Sequence, residues 1–327
     1  MTSPATPSKA TEKSKEKKEL ISLIVPCYNE EEMIHICHKA ITDVIDQIEN
    51  YDFEIIYIND GSTDKTYELL CDIYKKDKRA VVINLSRNFR KEAAMTAGID
   101  NARGDALIIL DADLQDPPSL IPQMLDIWKK ENADVVYGQR VLREGDTFMK
   151  KTTAKAFYKT INYISDINIP GNTGDFRLMN RRAIDAFIQL RERQRFLKGM
   201  FAWIGYKQVP LKYNRAPRAA GETKWNYLKL IDFAIEGITG FSIVPLRLAT
   251  FCGFIISLLS FAFGGFILIK TLFLGADLPR YASLVVILTF VSGIQLLCIG
   301  ILGEYIGRIF GESKDRPIYF LDCIHRK

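Results

Sequence analysis

Short apolar segments alternate with segments of helical periodicity between Ile21 and Gly138. Five apolar runs have the length and composition of buried strands: Ile21–Pro26, Phe53–Asn59, Val81–Ser86, Ala106–Leu110 and Asp134–Gly138. Patterns long enough for helices fall between them. This alternation predicts an α/β domain built on a mostly parallel, doubly wound sheet.

Polar residues cluster directly after four of these predicted strands. The clusters are Cys27–Glu31, Asp60–Asp64, Ser86–Arg90 and the pair Asp111 and Asp113. Ligands of such sheets bind at the carboxyl ends of the strands, so the clusters predict one site at that edge. No Gly-x-Gly-x-x-Gly or Walker sequence follows any of the strands, which removes the main support for a dinucleotide or P-loop site.

The pair Asp111 and Asp113 has two interpretations. Mg²⁺ and Mn²⁺ prefer oxygen ligands and often bind one or two carboxylates while substrate phosphates complete the shell, so the pair predicts a divalent cation site. Alternatively, the segment is an acidic turn in which Asp116 caps a helix that Pro117 and Pro118 open. The local sequence supports both.

Two long segments near the end of the chain carry no charge: Leu248–Ile269 and Tyr281–Gly303. At ~1.5 Å rise per residue, each is long enough to cross a hydrocarbon core of roughly 30 Å. They predict a transmembrane hairpin over 248–303; the alternative is a pair of buried core helices. Basic residues flank the hairpin more densely than they occupy its loop, which predicts a cytoplasmic catalytic domain and cytoplasmic termini: Arg247, Arg308, Lys314, Arg316, Arg326 and Lys327 outside, Lys270 and Arg280 between.

The remaining composition narrows the class of protein. Residues 1–19 are rich in Lys, Glu, Ser, Thr and Pro, and we expect a disordered tail there. The formal charge of +5 is modest and concentrated near the predicted membrane segments, so it does not indicate nucleic-acid binding. Six cysteines without paired spacing favour a reduced, cytoplasmic compartment.

Two further clusters lie later in the chain, beyond the five predicted strands. Asn172–Leu178 places Asp175 and Arg177 in a predicted loop, where Asp175 is either a catalytic carboxylate or an ordinary turn residue paired with Arg177. Further on, three cations surround Gly221 just before an amphipathic segment, and they suit either a lipid phosphate or simple anchoring at the membrane surface: Arg215, Arg218 and Lys224.

These patterns together resemble family 2 glycosyltransferases of the GT-A fold, in particular the polyprenyl-phosphate glycosyltransferases related to dolichol-phosphate mannosyltransferase and to GtrB-type bactoprenol glucosyltransferases. The resemblance runs from about Ile21 to Pro317. Its motifs are Val-Pro-Cys-Tyr-Asn-Glu at 25–30, Asn-Asp-Gly-Ser-Thr-Asp at 59–64, Leu-Ser-Arg-Asn-Phe at 85–89, Asp-Ala-Asp-Leu-Gln-Asp-Pro-Pro at 111–118, Gly-Asp-Phe-Arg-Leu at 174–178 and Gly-Glu-Thr-Lys-Trp at 221–225.

The resemblance implies roles for these residues. Metal ligands for Mg²⁺ or Mn²⁺ would be Asp111, Asp113 and Gln115, and Asp175, with Arg177 beside it, would occupy the position of the base. The nucleotide would be held by Pro26, Tyr28, Glu30, Asp60 and Asp111, and the acceptor phosphate by Arg215, Arg218 and Lys224. The implied domains are a GT-A catalytic domain at 20–225, a membrane-surface segment of amphipathic helices at 226–247, the hairpin at 248–303 and a cytoplasmic tail at 304–327.

The implied reaction is inverting transfer of one sugar, with UDP-glucose as the leading donor, to a polyprenyl phosphate such as undecaprenyl phosphate in the cell envelope. Gln194-Arg-Phe-Leu does not match the Gln-x-x-Arg-Trp motif of processive synthases, which implies a single transfer per acceptor. Ala219 replaces the bulky aromatic residue that relatives often carry before Ala220-Gly221, which leaves the packing of that loop open. A catalytically inactive, membrane-anchored binding protein is the alternative, and a homo-oligomer remains open.

Overall fold

The computed structural model describes residues 18–141, 170–214, 239–240, 242–274 and 281–327. Strands and helices alternate through its first part and two long helices follow. In chain order the elements are β1 (Glu19–Cys27), α1 (Ile34–Ile45), β2 (Tyr51–Asn59), α2 (Thr66–Lys76), β3 (Ala80–Leu85), α3 (Lys91–Asn101), β4 (Ala106–Ile109), a 3₁₀ turn (Pro118–Leu120), α4 (Ile121–Glu131), β5 (Val135–Arg140), β6 (Thr173–Asn180), α5 (Arg181–Ile188), α6 (Leu197–Trp203), β7 (Gln208–Tyr213), α7 (Val244–Leu274), α8 (Tyr281–Ser313) and β8 (Leu321–His325).

The described strands form one mixed sheet in the order β7-β5-β6-β4-β1-β2-β3-β8. β4, β1, β2 and β3 are parallel neighbours, as are β5 and β7, whereas β6 and β8 pair antiparallel with their neighbours. The four parallel strands are the first four predicted from the sequence. The predicted α/β class is confirmed, and the antiparallel pairs explain why the sheet is only mostly parallel.

Helices cover both faces of the sheet, because side chains of the central strands are apolar on both sides. One face packs Ile21, Leu23 and Val25 of β1 with α1, α2 and α4. The other packs Ile24, Ile56 and Ile58 with α3, α5 and α6. Burial of two faces accounts for the nearly continuous apolar runs in these strands.

Residues 304–327 differ from the predicted cytoplasmic tail. α8 continues to Ser313, and Leu321–His325 adds an antiparallel strand beside β3. Pairing with an otherwise open sheet edge satisfies backbone groups that a free tail would leave to water. The predicted N-terminal tail also ends too late, because Glu19 already pairs with Tyr51 at the start of β1 and β2.

The two C-terminal helices are long and apolar enough to cross a membrane, with candidate spans at Val244–Phe266 and Ile287–Ser313. None of either span's most apolar window is buried inside the protein. The alternative of two buried core helices is therefore wrong for these described residues. The predicted membrane-surface segment at 226–247 lies largely outside the described residues.

Candidate active site

The carboxyl ends of β1, β2, β3 and β4 lie side by side, which brings the four polar clusters to one edge of the sheet. The register aligns Cys27 with Asn59, and Asn59 with Asn84. Backbone bonds continue the alignment past the strands: Asp60 N donates to Cys27 O at 2.9 Å, and Leu110 N donates to Ile24 O at 2.9 Å. The predicted convergence at this edge is present in the described residues.

The first two clusters are joined by side-chain to backbone hydrogen bonds. Asn29 N donates to Ser62 Oγ at 3.0 Å, and Thr63 N donates back to Asn29 Oδ1 at 2.9 Å. Glu30 N donates to Thr66 Oγ1 at 2.9 Å. Asn29 takes φ of 53°, a left-handed conformation that asparagine tolerates. The Tyr28 ring next to this junction remains 41% exposed, so a ligand at the edge has a flat apolar surface available.

Gly61 allows the third cluster to approach the second. It takes φ of 62°, and an added Cβ would lie 2.4 Å from the carbonyl carbon of Arg87 and 2.5 Å from Asn88 N. Both contacts are with backbone atoms, which cannot move aside as a side chain does. The glycine therefore fixes the segment after β3 against the segment after β2.

Asp60 connects the same two segments through its carboxylate. Its Oδ1 accepts a 2.7 Å hydrogen bond from Phe89 N, and the residue is 3% exposed. Burial raises the pKa of Asp60 to about 6, although backbone N–H groups of Phe89 and Arg90 and the charge of Arg87 oppose the rise. The buried Asp60 carboxylate thus holds the segment after β3 against the segment after β2. Its raised pKa lies in a mildly acidic range.

The proposed metal ligands lie just after β4, where Leu114 takes φ of 55° and turns the chain. Asp113 Oδ1 accepts from Gln115 N at 3.1 Å. Gln115 is 7% exposed, and its buried Oε1 has no hydrogen-bond partner among the described residues. A buried amide oxygen on the same turn as the carboxylates of Asp111 and Asp113 adds an oxygen donor of the kind that suits a hard divalent cation.

No group of three or more His, Cys, Asp or Glu side chains forms a complete metal cage within the described ranges. This donor set instead resembles the kind that binds Mg²⁺ or Mn²⁺ through one or two carboxylates while substrate phosphates supply further oxygens. The residues present fit that mode of binding.

Asp116 does not cap a helix, so that alternative is wrong. The 3₁₀ turn at Pro118–Leu120 and helix α4 begin without a side-chain cap, while Asp116 is 1% exposed and accepts a hydrogen bond from the Tyr213 hydroxyl. Arg140 Nη2 lies 3.3 Å from both Asp116 carboxylate oxygens. A Cβ on Gly174 would meet this guanidinium nitrogen at 2.6 Å. The glycine of the Gly-Asp motif therefore leaves room for the Arg140 guanidinium beside Asp116.

Asp175 lies in strand β6 and not in the predicted loop. The antiparallel register pairs Ile109 with Arg177, so Asp111 and Asp175, each two residues further towards the site, face each other beyond the last pair. Isolated Gly and Asp residues disfavour strands, which explains the wrong prediction; pairing with β4 and β5 overrides that preference. The register brings two distant motifs to one place.

Lys91, which the sequence interpretation missed, joins the two carboxylates. Its Nζ lies 2.7 Å from Asp175 Oδ2, and 2.6 and 2.8 Å from the two Asp111 oxygens. Its side chain is 40% exposed, while those of Asp111 and Asp175 are 20% and 18% exposed. The third predicted cluster ends at Arg90, one residue before Lys91. A basic residue at the start of a helix, directly after that cluster, was the available signal.

The cations around Asp175 set its ionisation. Burial raises its pKa, but Lys91, Lys198 and Arg177 together outweigh burial and hold the pKa well below the usual range. Burial also raises the pKa of Asp111, with Lys91 opposing. Asp175 is therefore a stable carboxylate at neutral pH.

The Arg177 side chain forms a hydrogen bond with the backbone of its own strand. Its Nη2 donates to Gly174 O at 3.0 Å, and its guanidinium lies 3.7 Å from the centre of the Phe201 ring. Burial lowers the pKa of Arg177 to about 10, against the opposing effect of Asp175. The predicted turn in which Arg177 pairs with the Asp175 carboxylate is replaced by a strand in which that carboxylate pairs with Lys91.

The three predicted acceptor cations, Arg215, Arg218 and Lys224, lie outside the described residues.

Comparison with known proteins identifies the family of this site. The model of the family described as "Glycosyl transferase family 2" matches residues 22–187. The chain belongs to glycosyltransferase family 2. The match contains the four strand-end clusters and the strand that carries Asp175. The protein is therefore an enzyme, a glycosyltransferase, as the resemblance implied.

Relatives match over nearly the whole chain. An uncharacterized glycosyltransferase of Synechocystis is 49% identical over 301 residues, 92% of this chain and 94% of that protein. The bactoprenol glucosyl transferase of Shigella phage SfII is 43% identical, covering 94% of this chain and 98% of that protein. Among solved structures, a glucosyl-3-phosphoglycerate synthase from Mycobacterium tuberculosis matches with a TM-score of 0.45 at 18% identity, over 68% of this chain and 78% of that chain.

Proposed function

We propose that this glycosyltransferase moves one sugar, with glucose as the leading candidate, from a UDP-linked donor to a polyprenyl phosphate at the cytoplasmic face of a membrane. The geometric support is the pair of facing carboxylates, Asp111 and Asp175, beside the loops after β1 and β2. The name of the phage relative, a bactoprenol glucosyl transferase that aligns almost end to end, supports the choice of acceptor and sugar.

The donor binds at the sheet edge in this proposal. Pro26, Tyr28, Glu30, Asp60 and Asp111 hold the nucleoside, with the exposed Tyr28 ring as an apolar surface for the base. Asp111, Asp113 and Gln115 hold Mg²⁺ or Mn²⁺. When bound, the cation supplies positive charge that stabilises the departing diphosphate.

The reaction inverts the configuration of the anomeric carbon. An oxygen of the acceptor phosphate forms the new bond to that carbon while the bond to the nucleoside diphosphate breaks and its electron pair leaves with the diphosphate. A phosphate monoester has a second pKa of about 6, so the acceptor is largely ionised at pH 7 and needs little help from a base. Asp175, held as a carboxylate by Lys91, therefore orients the acceptor or the sugar. Arg177 supports Asp175 through the backbone of β6.

Cations on the segment after β7 hold the acceptor phosphate in this proposal, since two anionic substrates otherwise repel each other. Replacing Arg215, Arg218 or Lys224 by Ala then raises KM for the lipid far more than KM for the sugar nucleotide. Steady-state kinetics with each substrate varied in turn measures the two values. A larger effect on the nucleotide KM assigns the segment to the donor.

The two apolar helices anchor the enzyme as a hairpin with both ends on the cytoplasmic side. In a variant without native cysteines, a cysteine at position 277 is expected to react with an impermeant maleimide added outside intact cells, and one at position 320 only after lysis. The reverse pattern contradicts this orientation.

A transfer assay separates the enzyme from an inactive binding protein that keeps the fold. The purified protein in vesicles with polyprenyl phosphate and Mg²⁺ is given radiolabelled UDP-glucose, UDP-galactose and GDP-mannose in parallel. We expect label in the lipid fraction, highest with UDP-glucose, and far less with Asp175→Asn. Donor binding by thermal shift with no transfer from any donor would instead favour the binding protein.

A further inference from the structure

We propose that Lys91 is a resident cation of the active site that competes with the divalent metal for Asp111, so that the metal binds well only together with the nucleotide. The inference rests on the proposed metal-assisted function and adds a binding order to it. Its basis is the position of one ammonium group, which contacts both Asp111 and Asp175.

The backbone places Lys91 firmly. It is the first residue of α3, and Gly98 further along that helix allows a very close approach to the sheet: an added Cβ would lie 2.5 Å from Ile24 Cγ2 and 2.8 Å from Ile58 Cδ1. Before it, Arg90 takes φ of 76°, a conformation that side chains rarely adopt. The helix therefore cannot easily withdraw Lys91 from the carboxylates, and the strained residue before it indicates a functional constraint.

The charge of Lys91 is unfavourable for its own helix. The amino end of a helix carries a partial positive charge and favours acids, as Glu92 in the same turn illustrates. A lysine at the first position costs stability there unless anions compensate. Asp111 and Asp175 are those anions, so the site and not the helix explains why a lysine stands at this position.

A metal ion on Asp111 meets this charge at short range. The ammonium nitrogen lies within 2.8 Å of both Asp111 oxygens, close to where a ligated cation must sit. Two cations at such a distance repel strongly, because unit charges only a few ångströms apart are incompletely screened in a partly buried site. The nucleotide diphosphate brings negative charge that offsets this repulsion. Metal and nucleotide therefore bind with positive coupling, which linkage makes reciprocal.

The test measures Mn²⁺ binding and requires no turnover. Free Mn²⁺ is followed by electron paramagnetic resonance during titration of the full-length protein in detergent, with and without UDP. The variants are Lys91→Met, which removes the charge, and Lys91→Arg, which keeps it. Lys129→Met is the matched control, because Lys129 also pairs with a carboxylate, Glu19, but away from the site.

We expect the wild-type protein to bind Mn²⁺ weakly alone and much more tightly with UDP. Lys91→Met binds Mn²⁺ alone about tenfold or more tightly than wild type, by removal of the repulsion, and its gain on adding UDP shrinks correspondingly. Lys91→Arg and Lys129→Met behave like wild type. Weaker or unchanged Mn²⁺ binding by a folded Lys91→Met overturns the proposal.

The result is independent of the sugar and the acceptor. If the transfer assay fails with every donor but Lys91→Met still gains affinity for Mn²⁺ alone, the proposed function is wrong and the competition is right. If transfer proceeds but the variant gains no affinity, the competition is wrong and the function stands.

Discussion

Asp111 and Asp175 face each other across the end of an antiparallel strand pair although they belong to motifs far apart in the sequence. The pairing of Ile109 with Arg177 fixes this relationship, and a slip of one residue would turn Asp175 to the other face of the sheet. Lys91 then spans the two carboxylates. The chemistry proposed for the site therefore depends on strand register as much as on the acidic residues themselves.

Asp113→Asn is expected to lower transfer by at least a hundredfold, because it replaces a charged oxygen ligand with a neutral one at the proposed metal site; loss of one group that stabilises developing charge typically costs about 10²–10³ in rate. Initial rates in vesicles over a range of Mg²⁺ concentrations measure the loss. Asp126→Asn, whose exposed carboxylate pairs with Lys130, is the control and keeps the wild-type rate. Full activity of the wild-type enzyme in excess EDTA contradicts the metal requirement.

The sequence predicted the elements of this site that depend on local pattern. Asp111 and Asp113 follow an apolar strand, and Asp60 follows another, so their convergence could be inferred from the sheet class alone. The place of Lys91 directly after the third cluster is visible in the sequence, but its contact with both carboxylates could not be inferred, because that contact depends on how closely α3 approaches the sheet at Gly98. No local periodicity encodes that distance.

The other wrong predictions concern strands that form by pairing between distant parts of the chain. Leu321–His325 is only five residues long and has no apolar run, so its pairing with β3 outweighs its weak local signal. Asp175 was assigned to a loop for the same reason, since Gly and Asp punctuate its segment. Both strands exist because neighbouring strands offer unpaired backbone groups.

Asp60→Asn is expected to change how stability depends on pH. Asp60 has a folded-state pKa of about 6, above its ordinary value of 3.8, so its protonated form stabilises the fold at low pH and this contribution is lost as pH rises through 6. The difference in unfolding free energy, wild type minus variant, should therefore fall by about 1–3 kcal/mol between pH 4 and 7.

Denaturation in detergent at several pH values measures that difference. Asp64→Asn is a suitable control: burial raises the pKa of Asp64, but hydrogen bonds from Thr66 and Glu31 outweigh it and lower the pKa, so its titration lies below this pH range. Its difference from wild type should stay constant from pH 4.5 to 7. A constant difference for Asp60→Asn as well argues against the raised pKa.

Arg193→Met is expected to weaken the link between the catalytic domain and α8. The Arg193 side chain donates from Nε to Arg316 O at 3.0 Å and from Nη1 to Glu312 Oε2 at 3.5 Å, just before helix α6, which carries Lys198 and Phe201. These contacts contribute about 1 kcal/mol to holding the catalytic domain in position relative to α8. Their loss should slow transfer to a long-chain lipid in vesicles roughly three- to tenfold.

A short, water-soluble prenyl phosphate separates alignment from damage to the site, because it does not need the catalytic domain to be held at the membrane. Arg193→Met should use this acceptor at the wild-type rate. Arg182→Met, at a side chain that is 67% exposed, should match wild type with both acceptors. An equal loss with the short and long acceptors would mean that Arg193 supports the active site itself.

Asp175→Asn distinguishes a positioning carboxylate from a general base. Burial raises the pKa of Asp175, but Lys91, Lys198 and Arg177 hold it well below the usual range, which makes the group a weak proton acceptor. The acceptor phosphate is already mostly ionised at pH 7. We therefore expect kcat to fall strongly in the variant and the ratio to wild type to stay nearly constant from pH 7 to about 9. A general base would be bypassed progressively as the acceptor loses its proton without help. Recovery of the variant towards wild-type turnover at high pH, with its melting temperature unchanged, would restore proton abstraction as the role of Asp175.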